Sequence, residues 1–166
     1  LFTVSLRNVA EKSWITFGEV SQKNVKEGTE FEYVDLVVNS YYSFFYSFII
    51  TEAKLGNTAS VTNHYAIADT GTSFLYVSKE VAEEFYKDEA FNVCTEKEGT
   101  FTCGCDAQLP NVEFTIGKAT YTVTGEQYLY KQSNGTCVVA IQSIQTPGGL
   151  FILGDVFLRT VVAVFD

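Results

Sequence analysis

Ala66-Ile67-Ala68-Asp69-Thr70-Gly71-Thr72-Ser73 is the stretch that decides how the rest of the chain is read. A small apolar strand runs into an acid, and a glycine turn dressed with three hydroxyls follows. Glycine lets the backbone turn sharply, and Thr70, Thr72 and Ser73 can hydrogen-bond close to the carboxylate. A carboxylate held in one orientation this way suits acid–base chemistry. An ordinary hairpin with an Asp in its turn carries the same residues, because Asp-x-Gly is common turn chemistry. The local stretch alone leaves both readings open.

Outward from that turn, the composition favours strands. The 166 residues include 14 Phe and 10 Tyr, and 46% are apolar, a mixture rich in strand formers and suited to a single domain with a substantial core. The net charge is −9, with 20 acidic against 11 basic side chains and no basic cluster, which argues against a nucleic-acid partner. The longest aromatic-rich run, 41–50, is too short to span a bilayer and is interrupted by Ser43 and Ser47, so no membrane insertion is expected.

Strands are expected over 2–6, 14–18, 31–38 and 41–51, with a polar turn region over 55–63 leading into 65–68. Ser78 is a plausible N-cap for a helix. Val81, Ala82, Phe85 and Tyr86 recur at helical spacing after it. Residues 112–116 and 119–123 flank Gly117-Lys118, a strong hairpin signal. Further strands are expected over 128–131, 137–141, 150–153 and 161–165, with a short helix opened and capped by Asp155. Many short strands with one or two short helices predict an all-β domain, closed or sandwich-like.

Cys94 and Cys103 bracket a natural hairpin tip, leaving Cys105 to pair with Cys137. The competing arrangement, a four-thiolate zinc site, calls for paired C-x₂₋₄-C knuckles that this chain lacks, so disulfides are favoured and no metal is expected. Asn134-Gly135-Thr136 is a glycosylation sequon, which fits a secreted chain. His64 is the only imidazole. With no G-x-S-x-G elbow to supply a nucleophile, it reads as a loop residue.

Together these motifs resemble a known family. The Asp69 stretch looks like the second catalytic Asp-Thr-Gly motif of pepsin-like aspartic proteases. Phe151-Ile152-Leu153-Gly154-Asp155-Val156-Phe157-Leu158-Arg159 and Val164-Phe165-Asp166 resemble the hydrophobic-hydrophobic-Gly segment and closing strand of the same lobe. Residues 2–6, 14–18 and 34–42 resemble the strands that open that lobe. Cys105–Cys137 resembles its disulfide, and Cys94–Cys103 is extra relative to pepsin.

The resemblance implies the C-terminal lobe of a bilobal, almost all-β acid protease fold. It implies that Asp69 is catalytic, with Ile152, Leu153 and Gly154 bracing it. Thr70 would hydrogen-bond to the other lobe, and Thr72 would bond the outer oxygen of Asp69. Gly71 and Thr72 would bind substrate backbone, and Tyr41 and Ile152 would line the cleft. The expected activity is endopeptidase action on polypeptides, without a cofactor, in a secreted or lysosome- or vacuole-like acidic setting. No second Asp-Thr/Ser-Gly occurs in these residues. The second acid is therefore expected from an N-terminal lobe of the same precursor, and a last strand is expected after Asp166. A chain with one such acid is expected to be inactive alone. The alternatives are a homodimer pairing two copies of Asp69 and a non-catalytic binding module.

Overall fold

The computed structural model describes residues 1–8, 10–38, 41–145 and 149–166. Its strands are β1 (Phe2–Ser5), β2 (Trp14–Phe17), β3 (Ser47–Leu55), β4 (Ala59–Ala68), β5 (Leu75–Ser78), β6 (Thr95–Lys97), β7 (Thr100–Cys103), β8 (Val112–Ile116), β9 (Ala119–Val123), β10 (Leu129–Lys131), β11 (Cys137–Val139), β12 (Ile141–Ile144), β13 (Phe151–Leu153) and β14 (Val162–Phe165). Helices α1 (Lys79–Phe85) and α2 (Asp155–Leu158) and a 3₁₀ turn, Glu89–Val93, complete the described elements. The fold is all-β with two short α-helices, in keeping with a pepsin-like lobe.

Three sheets form. The largest has the order β12-β5-β13-β4-β3-β8-β9, a second is β10-β11-β7-β6, and a third is β14-β1-β2. The core lies mainly on the large sheet, where Ile50, Ala53, Leu55, Ala66, Leu75, Val77, Val112, Phe114, Phe151 and Leu153 are all fully buried. The Ile, Leu, Val and Phe side chains among them each stabilise the fold by roughly 1.5–3 kcal/mol relative to exposure. Helix α1 seals one side. Ser78 Oγ accepts from the Val81 amide at 3.3 Å, and Val81, Ala82 and Phe85 face inward. The 112–123 hairpin has the expected register, with Ile116 opposite Ala119 and Gly117 at φ 61°.

Five expectations need correction. Residues 31–38 are not a strand. Their half-buried positions, Phe31, Val34 and Val37, recur every third residue rather than every second, so no sheet face can be formed. Their strand-favouring side chains find no ladder partner, and β-propensity acts only through such neighbours. The segment is held instead by Val37 N–H on Ser47 O (2.8 Å) and by Glu32 Oε1 accepting from the Lys118 amide (3.1 Å). The strand expected over 34–42 runs through residues 39–40, which lie outside the described ones.

The long strand begins at Ser47, not at residue 41. Phe45 N–H donates to Tyr42 O (3.0 Å) and so does Ser47 Oγ (3.0 Å), closing a turn that leaves Tyr41 and Phe44 83% and 91% exposed. The polar region 55–63 is mostly strand. Gly56 at φ 59° opens a short turn and β4 starts at Ala59, its polar residues lying on exposed positions. The run 137–141 splits at Ala140 between two sheets. Ala140 gives its N–H to Tyr128 O (2.7 Å) and accepts the Leu75 N–H (3.0 Å). Finally, Asp155 is the first residue of α2 rather than its cap. Gly154 holds the N-cap position without a side-chain bond.

Candidate active site

The Asp69 turn joins two neighbouring strands that do not pair with each other. Strand β13, from far along the sequence, lies between them. It is parallel to β4, with Leu153 opposite Ala68, and antiparallel to β5, with Leu153 also opposite Leu75. The result is a ψ-shaped crossing with Asp69 at its open end. Asp69 N–H donates to Leu153 O at 3.1 Å, and Ala68 N–H donates to Tyr46 O at 3.0 Å, so backbone on both sides of the acid is tied down.

Both carboxylate oxygens are engaged. Oδ1 accepts the Gly71 amide at 2.9 Å, and Oδ2 accepts the Thr72 hydroxyl at 2.5 Å. The carboxylate is thus oriented by its own turn. Past the turn, Thr72 O accepts the Asp155 amide (2.8 Å) and Ser73 O accepts the Val156 amide (3.2 Å), so the first turn of α2 is stitched to the acid's turn. Gly154 makes that approach possible. A Cβ there would overlap the carbonyl oxygens of Thr72 and Phe74, which are backbone and cannot step aside.

The structure brings Asp69, Gly71, Thr72, Leu153 and Gly154 together directly. Ile152 is half-buried and packs with Tyr42, Ile67 and Leu150 in a small apolar cluster beside the crossing. Tyr41 stands outside that cluster, edge-on to Tyr42 with ring centroids 5.7 Å apart. Thr70 is exposed and its side chain makes no hydrogen bond among the described residues. His64 lies on β4 rather than in a loop. It is half-buried against Phe151, with Nδ1 3.0 Å from Thr62 O.

Two residues near the site have roles that the sequence did not indicate. Tyr42 is the buried ring that anchors the Ile152 cluster, and nothing in the aromatic run 41–46 marks which ring turns inward. Asp155 has its carboxyl held above the ordinary aspartate value. Burial is the main cause, Arg159 opposes it, and the charge of Asp69 adds to it. Its place beside Gly154 hints at this proximity only once the crossing is known.

A cavity of about 480 Å³ lies elsewhere, lined by Phe31, Val34, Tyr46, Phe48, Tyr121 and Phe157 among others. Its lining reaches Ala68 but none of Asp69, Thr70, Gly71 or Thr72, so it is not the space in front of the acid. Among the described residues no cluster of three or more His, Cys, Asp or Glu side chains is placed to hold a metal ion. Both cysteine pairs, Cys94–Cys103 and Cys105–Cys137, are disulfide-bonded.

A glycine turn that orients one carboxylate thus stands at the open end of a ψ-shaped crossing. The eukaryotic aspartyl protease family profile matches residues 1–166, and the chain belongs to that family. It is 30% identical over its whole length to penicillopepsin-1 of Talaromyces stipitatus and 34% identical, again over the whole chain, to aspergillopepsin-1 of Emericella nidulans. It is 36% identical over 61% of its length to cathepsin D of Clupea harengus. These alignments cover 41%, 40% and 27% of the respective relatives, so the chain spans about two-fifths of the length of the first two.

Proposed function

We propose that this chain supplies one of the two catalytic carboxylates of an aspartic endopeptidase, as its C-terminal lobe. The observation that carries the reading is the double engagement of Asp69 by Gly71 N–H and Thr72 Oγ inside the ψ-shaped crossing. In aspartic proteases generally, two carboxylates share one proton, because like charges in close contact cannot both ionise. The ionised member takes a proton from a bound water, the water attacks the scissile carbonyl, and the other member donates to the carbonyl oxygen. Asp69 fills one of these roles. The other falls to an acid from the N-terminal lobe of the same precursor, with exposed Thr70 available to bond across to it. The chain alone is then inactive.

Polypeptides are the substrates in this reading. Gly71 and Thr72 meet substrate backbone, and Tyr41 and Ile152 present apolar surface to its side chains. Two disulfides favour an oxidising route of synthesis and a secreted or acidic-compartment destination. The test is Asp69→Asn in the full-length precursor, assayed on a denatured protein at acid pH. Hydrolysis is expected to fall at least ~10³-fold with the melting temperature little changed, since proton transfer is lost and shape is kept. Full activity in the variant overturns the reading. The same assay on the isolated chain separates a two-lobe enzyme from a homodimer, which alone would retain activity.

A further inference from the structure

We infer that Asn134, at the tip of the β10–β11 hairpin, is an acceptor for an N-linked glycan. It is the only asparagine in the sequence followed two residues later by Ser or Thr with no proline between. The structure adds what the triplet alone lacks. Residues 131–135 are all exposed, and a Cβ added at Gly135 would meet nothing within 4 Å, so the tip stands in open solvent. Gly135 has φ 86°, the left-handed conformation that folds the tip back on itself.

The carboxamide is also oriented. Asn134 Oδ1 accepts both the Thr136 amide (3.0 Å) and the Thr136 hydroxyl (2.7 Å), and that hydroxyl lies 3.2 Å from Gln132 Oε1 as well. Every bond falls on the oxygen branch, so Nδ2 has no hydrogen-bond partner among the described residues. The tip is braced from behind, because Cys137 bonds Cys105 and Gln132 N–H donates to Thr136 O at 2.8 Å.

The tip is set apart from the base of its hairpin. The base of the hairpin, at Ala140, bonds Leu75 of β5, close to the Asp69 turn. The tip lies at the other end, and at ~3.3 Å per strand residue that is on the order of 15 Å away. A glycan there extends from the rim of the β10-β11-β7-β6 sheet.

The co-reactant is a lipid-pyrophosphate-linked oligosaccharide of the secretory pathway. A bond forms between Nδ2 and the anomeric carbon of the first sugar while the bond from that carbon to the pyrophosphate oxygen breaks. The lipid pyrophosphate leaves with the electron pair, and one amide proton is lost to solvent. Nothing is oxidised or reduced.

The test is made on the full-length precursor expressed in a eukaryotic secretory host and recovered from medium and from secretory membranes. Peptide-N-glycosidase digestion in heavy-oxygen water converts a glycosylated Asn into a labelled Asp, read by peptide mass spectrometry. A parallel digest without the enzyme subtracts spontaneous deamidation of the Asn-Gly step. The expected result is label at Asn134 and loss of the hexosamine-bearing species in Asn134→Gln and Thr136→Ala, with Thr136→Ser retaining it. Unlabelled Asn134 in the parent protein overturns the assignment, and this readout needs no variant to fold.

Discussion

The ψ-shaped crossing and the β10-β11-β7-β6 sheet both rely on strands of three or four residues, β5 and β13 in the first and all four strands of the second, yet they are held by different means. At the crossing, Ala66, Leu75, Val77, Phe151 and Leu153 are fully buried, and no covalent link is used. In the peripheral sheet, β6 is exposed at all three residues, and two disulfides tie the cysteines at its margins and centre. Tyr86 stacks on Phe101 at 3.9 Å to anchor it to the core, and its hydroxyl donates to Ile141 O. Short strands buried on both faces hold one another. Short strands with an open face need staples.

The largest effect that tests this contrast is replacement of both Cys105 and Cys137 by Ala. Their sequence separation is 32, and opening that loop is expected to cost about 4 kcal/mol by urea unfolding. Removing Cys94–Cys103, with a separation of 9, is expected to cost about 1 kcal/mol less. Amide exchange should quicken at Val138 first, with Leu75 and Leu153 still protected. Equal loss of protection at both places would break the comparison.

Next comes Gly154→Ala. The added Cβ runs into backbone carbonyls, so the variant is expected to lose roughly 1–3 kcal/mol and to move the Asp69 turn. In the two-lobe enzyme proposed above, this predicts a fall in hydrolysis beyond what the stability change accounts for. A stable variant with normal activity would show that the crossing does not depend on close approach.

The smallest effect concerns Asp155→Asn. A carboxyl with a raised folded value binds its proton more tightly in the folded protein than in the unfolded one. Its contribution to stability is therefore complete below the ordinary value of 3.8 and is lost as pH rises through the folded value. Asparagine removes that dependence, so the decline in stability over this window should flatten. An unchanged profile from thermal melts at stepped pH would mean that burial at α2 leaves Asp155 unaffected.

Much of this was legible where local chemistry decides structure. The Gly117-Lys118 turn and its alternating flanks set the hairpin, and Ser78 with Val81, Ala82 and Phe85 set α1, because caps, turns and periodicity act within a few residues. Asp69-Thr70-Gly71 and Ile152-Leu153-Gly154 were visible as motifs, but their meeting was read from a resemblance and not from any pattern. Residues 31–38 misled because Phe31, Tyr33, Val37 and Val38 favour strands, while the segment makes only isolated bonds to its neighbours and no ladder. The division at Ala140 was invisible because an apolar run from Cys137 to Ile141 looks the same whether it serves one sheet or two. Strand β5 went unseen because its four residues merge into the start of α1.

The insertion of β13 between β4 and β5 also sets an order of events. Strands β4 and β5 leave the ribosome well before β13, the strand that separates them. Until Phe151–Leu153 leave the ribosome, Asp69 N–H has no Leu153 carbonyl to bind, and two apolar strands wait with an open seam between them. Contacts of such high sequence separation close slowly and expose sticky edges meanwhile. The acid's backbone anchor is thus complete only once β13 has entered the seam.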